Sequence, residues 1–320
     1  MNITRRTALK GTAAATAALA LPNVMTRAAH GKAPLMDPTP QAVSRQKLGS
    51  FDLVTVLDAR VMRDGPHPIF GQDQPAEAVA ELMAENKLPA DRTAFYFTPV
   101  LINTGNETVL FDTGLGGENG MTAKHLADAG YAADAIDVVV LTHFHPDHIG
   151  GLSGADGTPT YPNARYVAPE KEFDFWAKEA EGKEQLKRVY DLTQAKVLPL
   201  REKMTFIGDD AEVVSGIRSV NANGHTPGHM AFHIESDERR LLLTADTANH
   251  FVASLQRPDW HVRFDMDKEA AAATRKRLFD MAAADGIPFT GYHMPFPAVG
   301  FVEKMGPGYR YIAETYQLEQ

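Results

Sequence analysis

The stretch Leu141-Thr142-His143-Phe144-His145-Pro146-Asp147-His148-Ile149-Gly150-Gly151 places three histidines and an aspartate within six positions, directly after the apolar run Val138-Val139-Val140. In extended backbone, residues two apart point to the same side, so His143 and His145 can grip one ion together. Pro146 turns the chain, and Asp147 and His148 emerge on that turn, where they can reach a second position a few ångströms away. Gly150 and Gly151 let the backbone pass close by without a Cβ. Imidazole and carboxylate suit zinc, manganese, iron or cobalt, and a chain without cysteine has no thiolate to shift that preference. The stretch therefore reads as a buried strand that delivers metal ligands to a reaction centre.

These residues cannot complete two open metal sites, so further donors must come from downstream. The candidates stand at chain breaks after strands. Asn223-Gly224-His225-Thr226-Pro227-Gly228-His229 is a Gly/Pro-rich turn with two histidines, Leu241-Leu242-Leu243-Thr244-Ala245-Asp246 is an apolar strand ending in an acid, and Gly291-Tyr292-His293 is a strand end with a histidine. His67, His125, His233, His250 and His261 lack ligand spacing and read as surface or core histidines.

Strands are expected over 51–57, 95–103, 108–111, 138–141, 166–167, 211–220, 229–235, 239–245 and 288–290. Helices are expected over 74–86 behind Asp73, over 122–129, over 171–190 and over 268–284 behind Asp267. No repeat and no linker divides this series, so it describes one layered domain of class α+β, from residue 48 to residue 320.

The N-terminus is of a different kind. Residues 1–29 begin with basic residues, continue as an Ala/Leu run and end in small residues at Thr26-Arg27-Ala28-Ala29. The run is too short to span a membrane and reads as a secretory signal. Thr4-Arg5-Arg6-Thr7-Ala8-Leu9-Lys10 resembles the twin-arginine signal, which implies export of a folded protein to the bacterial periplasm or beyond. Ala8 stands where a large apolar residue is common. Residues 30–47 read as a polar, Pro-rich arm. Loss of the signal removes Arg5, Arg6, Lys10 and Arg27 and no acid, so the formal charge moves from −9 to −13. Such a surface argues against nucleic acid and against a lasting hold on an anionic membrane. With no cysteine in an exported chain, a packed core or a metal must supply the stability.

The order HxHxDH, GHTPGH, strand-end Asp, late His resembles the metallo-β-lactamase fold superfamily. Gly291-Tyr292-His293-Met294-Pro295-Phe296-Pro297 and Gly308-Tyr309-Arg310-Tyr311 resemble the methyl parathion hydrolase and lactonase branch, and Val109-Leu110-Phe111-Asp112-Thr113-Gly114 is similar to a strand-to-turn motif of the same fold. The resemblance implies an αββα four-layer sandwich with two divalent metal ions, zinc first among them, at one edge of the sheets. It assigns His143, His145 and His225 to the first ion, Asp147, His148 and His293 to the second, and Asp246 to both. It makes His229 and Asp112 supports of the ligands, places Trp176 beside the substrate pocket, and gives Phe144 a packing role. Ala245 stands where the family often has glycine. A homodimer is a further expectation from the family.

No Gly-x-Ser-x-Gly elbow is present, and without cysteine no thiol nucleophile exists. Two metals about 3.5–4 Å apart lower the pKa of water to roughly 7, so a metal-bridging hydroxide is the expected nucleophile, with Asp147 as the expected acid for the leaving group. The expected substrates are small molecules, namely lactones or aryl esters, with organophosphate triesters as a promiscuous activity. An N-acyl-homoserine lactone lactonase is the alternative, ahead of a β-lactamase and of a non-catalytic metal-binding protein. A glutathione thioesterase would need a basic cluster, and none is visible along the chain.

Overall fold

The computed structural model describes residues 41–318. The signal segment and residues 30–40 of the arm lie outside them. The described strands are β1 (Val43–Leu48), β2 (Phe51–Val56), β3 (Ala59–Asp64), β4 (Arg92–Phe97), β5 (Val100–Asn103), β6 (Thr108–Phe111), β7 (Val138–Val140) and β8 (Arg165–Pro169). They continue as β9 (Met204–Ile207), β10 (Glu212–Val214), β11 (Ile217–Asn221), β12 (Met230–Ser236), β13 (Arg239–Ala245), β14 (Phe289–Gly291), β15 (Val299–Met305) and β16 (Gly308–Ala313). One seven-stranded sheet runs β1-β2-β5-β6-β7-β8-β9 and a second runs β10-β11-β12-β13-β14-β15-β16, while β3 and β4 form a separate hairpin.

The strands are apolar on both faces because both faces are covered. Along β7, Val138 and Val140 join a cluster with Phe232, Ile234 and Leu243 of the second sheet, whereas Val139 turns the other way toward Leu126, Phe173 and Val197. Phe111 and Phe232 meet across the sheets with ring centroids 5.0 Å apart. On the far side of the second sheet, Leu278, Phe279 and Ala282 of the helix Lys268–Asp285 pack on Leu242 and Phe289. The result is the αββα sandwich with one core between the sheets and one under each helical layer. Asp267 caps the long helix by accepting from the Ala270 amide, and Gly286, at φ +63°, ends it.

Several expectations need correction. The arm ends before Val43, since residues 43–48 pair antiparallel with β2, from Val43 opposite Val56 to Leu48 opposite Phe51. Ser44, Arg45, Gln46 and Lys47 hide this strand because a sheet edge tolerates charge. The helix expected from 74 starts at Ala76, and Asp73 does not cap it; its carboxylate accepts from the His261 amide instead. The helix expected over 171–190 breaks into Glu170–Asp174, a π-helical turn Phe175–Glu179, and Lys187–Lys196. Gly182, at φ +72°, divides the segment.

Candidate metal centre

β6, β7 and β8 run parallel, as do β13 and β14, and the chain leaves the C-terminal ends of β7, β13 and β14 at one edge of the sandwich. Strand ends of this kind place polar side chains on rigid supports. His143 and His145 follow β7, and His145, in extended backbone, flanks a one-turn helix Pro146–Ile149 with Pro146 in its first turn. That turn presents Asp147 and His148. A Cβ on Gly150 would stand 2.1 Å from the Leu115 carbonyl oxygen and one on Gly151 2.1 Å from that of Thr113, so only glycine lets this loop lie against the one after β6.

The structure brings all seven expected ligands together. His143, His145, His225 and Asp246 form one group and Asp147, His148, Asp246 and His293 another, each with its donor atoms within 4.8 Å of one another. Asp246 belongs to both. Its Oδ2 lies 3.3 Å from His225 Nε2 and 3.0 Å from His293 Nε2, and its Oδ1 lies 3.2 Å from His148 Nε2. None of the five histidines read as bland enters either group. His250, for example, accepts from the amides of Val252 and Ala253.

The donors fit cations. His143 Nε2, His148 Nε2 and Asp246 Oδ1 are buried without a hydrogen-bond partner among the described residues, a rare condition unless something else satisfies them. Burial holds His143 well below the usual imidazole range and His145 at about 3, so both are neutral and open to a metal. Burial opposes charge on His148 and His293 too, but Asp246 and its neighbouring carboxylates outweigh it and raise both. A bound cation would replace the protons those carboxylates attract. The two groups support a dinuclear metal site.

A second ring of contacts orients the imidazoles. Asp112 accepts from His148 Nδ1 at 2.7 Å and from the Thr142 amide and hydroxyl, each at 2.8 Å. His229 donates from Nδ1 to the Ala222 carbonyl and accepts at Nε2 from the Asp246 amide, which fixes one tautomer and steers the acid. Ala245 adopts φ +43°, the left-handed region that makes glycine the easier residue before this acid. Phe144 is fully buried and packs, as expected. Trp176 does not line the cleft: it is 1% exposed, and its indole N–H donates to Glu172 at 2.7 Å, behind His145. Its π-helical turn winds it into the core under the outer helices.

Sequence reasoning missed Glu172, Asp265, Arg275 and the role of Tyr292. Asp265 accepts from His225 Nδ1 at 2.9 Å and is held by Arg275 Nη2 at 2.8 Å, all of them buried. The Tyr292 hydroxyl donates to the Asp147 carbonyl, and its ring lies 3.9 Å from that of His148. A lone acid in a loop carries no spacing signal, so nothing along the chain ties residue 265 to residue 225. Asp265→Asn is expected to weaken binding at the His143/His145/His225 position by about 10–100-fold, read by chelator competition. An unchanged affinity would remove Asp265 from the centre.

Residues 98–286 match the Metallo-beta-lactamase superfamily. The chain belongs to that superfamily. It is 27% identical over 211 residues to an N-acyl homoserine lactonase of a Bacillus species, a match covering 61% of this chain and 76% of that one. Among solved structures it is similar to AidC, a dizinc quorum-quenching lactonase bound to its product, with TM-score 0.79, 26% identity and coverage of 86% of this chain and 98% of AidC. The hydrolase AbOPH of the beta lactamase superfamily superposes with TM-score 0.76 at 25% identity, covering 88% of this chain and all of AbOPH. This metallo-beta-lactamase superfamily member is a metal-dependent hydrolase. Residues 2–22 match the twin-arginine translocation signal, so it is periplasmic or secreted, and no described helix is long and apolar enough to cross a membrane.

Proposed function

We propose that this hydrolase opens lactones and cleaves aryl esters at a pair of zinc ions, with organophosphate triesters as a slower side activity. The observation that carries the reading is the shared carboxylate of Asp246 at the base of a cleft of about 460 Å³. His143, His145 and His225 would hold one ion, Asp147, His148 and His293 the other, and Asp246 both. When bound, the ions supply Lewis acidity and activated water at neutral pH. The protein supplies position and a dry wall: Phe95 and Phe97 flank His293 with ring centroids 5.8 and 5.3 Å away, and Leu115 and Ile69 complete an apolar side.

Asp147 is the candidate proton carrier. Its Oδ2 lies 3.5 Å from both His148 Nε2 and His293 Nε2, which leaves Oδ1 for a proton. Burial disfavours its charge, but those two histidines outweigh burial and hold it at about 2. It therefore starts ionised, and it can protonate a leaving oxygen only with a proton first taken from the attacking water.

N-acyl-homoserine lactones are the second reading, favoured by the lactonase relatives. Zinc-reconstituted protein should be offered dihydrocoumarin-type lactones, acyl-homoserine lactones, an aryl ester, a paraoxon-type triester and a cephalosporin in parallel. Turnover is expected on the lactones and the aryl ester, weaker turnover on the triester, and loss of all of it with a chelator. Full activity in the chelated protein, or none on any lactone or ester, would sink the reading.

A further inference from the structure

Three arginines from distant segments line the cleft that holds the metal groups: Arg63 of β3, Arg188 of the helix Lys187–Lys196, and Arg263 of the loop before the long helix. All three are exposed. Among the described residues they are also the arginines whose side chains have no hydrogen bond, ion pair or ring contact. The others are engaged, for instance Arg165 with Glu107, Arg240 with Asp285, Arg60 over Tyr96 and Arg277 with the Asn221 carbonyl. In a chain of formal charge −9, acids are available to pair with any arginine, so unpaired arginines gathered at one cleft are not what composition would produce. The acids of the same cleft are committed elsewhere. Asp265 faces Arg275 and His225, and Asp147 and Asp246 face the ligand histidines.

Apolar side chains line the same cleft. Phe264 is 42% and Met266 37% exposed, large apolar side chains left open at the cleft, and Phe264 meets Phe95 edge-on at 6.0 Å. The cleft thus combines three kinds of group: buried metal donors, apolar side chains that include the exposed Phe264 and Met266, and exposed guanidinium groups. Guanidinium is weakly hydrated and presents a planar fork suited to carboxylate, sulfonate or phosphate oxygens.

We propose that the substrate class is an amphiphilic lactone or ester carrying an anionic group remote from the scissile bond, recognised by Arg63, Arg188 and Arg263. The proposal rests on the hydrolase reading for the bond that is cleaved, but not for the recognition itself. An anion on these arginines steers the substrate in and sets its orientation, with the apolar segment along Phe95, Phe264 and Met266 and the electrophilic carbon at the metal donors. The basic cluster not visible along the chain is therefore present in space.

The test separates binding from turnover. The probe is the anilide of 6-sulfohexanoic acid, with neutral hexananilide as its partner, each titrated calorimetrically into the zinc-loaded protein. An anilide resists hydrolysis, and a sulfonate is a poor metal ligand. The sulfonate is expected to bind about tenfold tighter or better, with the advantage shrinking as salt rises. In the Arg63→Gln/Arg188→Gln/Arg263→Gln variant the advantage should fall below about threefold. The three side chains make no hydrogen bond, ion pair or ring contact, so the variant should fold, and an unchanged thermal unfolding curve checks this. Equal binding of the two probes, or a preference that survives in the triple variant, would overturn the proposal. A second arm compares 4-nitrophenyl esters of the same two acids: failure to cleave either would count against the hydrolase reading alone, while cleavage without arginine-dependent preference for the sulfonate would count against recognition alone.

Discussion

Asp246→Ala is expected to reduce kcat on an aryl ester by roughly three orders of magnitude, about 4 kcal/mol of transition-state stabilisation. No other side chain belongs to both donor groups. The same carboxylate accepts from Asn249 Nδ2 at 3.0 Å, and its amide is anchored on His229. Its loss leaves five histidines facing one another with one carboxylate fewer to favour a cation. Metal content by elemental analysis should fall from two ions per chain to one or none. Asp246→Asn keeps the shape and removes the charge, so it separates the electrostatic contribution from packing. A kcat within about tenfold of wild type for Asp246→Ala, with folding intact, would mean that the shared carboxylate is not central to the chemistry.

The largest expected effect on stability is at Glu172, which is fully buried beneath the site. Its Oε1 accepts from the Phe144 amide at 3.0 Å and the Trp176 indole at 2.7 Å; its Oε2 accepts from the Thr226 hydroxyl at 2.7 Å and the Gly228 amide at 2.8 Å. One carboxylate thus ties the strand end carrying His143 and His145 to the loop carrying His225. Burial pushes its carboxyl up, and the four donors pull it back. Glu172→Ala removes the acceptor and strands four donors, at an expected cost of about 3–5 kcal/mol in denaturant unfolding. Glu172→Gln retains one acceptor oxygen and should lose less, because its amide group can still donate to the Thr226 hydroxyl but not to the Gly228 amide. A loss below about 1 kcal/mol for Glu172→Ala would show that water or a local shift satisfies those donors. Activity should fall along with stability, since the same carboxylate sets the distance between His145 and His225.

Much of the centre was legible along the chain because its donors stand at strand ends, where spacing has geometric meaning. His143 and His145 share a side because extended backbone has period two, and Asp246 and His293 end strands whose apolar runs announce them. The elements read poorly where local signals and tertiary context disagree. β1 is charged because it is an edge strand, and β3 is hidden in the same way. The 171–190 segment has helical periodicity, yet a π-turn and Gly182 re-aim it, which carries Trp176 into the core instead of the cleft. Asp73 has the right residue type and position for a cap, and its carboxylate is taken by a loop from far along the chain.

The sequence by itself determined the candidate donor set, the export signal and the layered architecture, because each is written in local order: donor spacing, a basic-then-apolar leader, and alternation of strand and helix signals. The tertiary structure alone decided which groups orient and surround those ligands. Asp265 reaches His225 through a loop forty residues away, Glu172 joins two loops of different sheets, and Arg63, Arg188 and Arg263 line one cleft only because the fold brings three distant segments to it. Contacts between residues distant in sequence depend on how the layers pack, and packing is a property of the whole chain that no short stretch encodes.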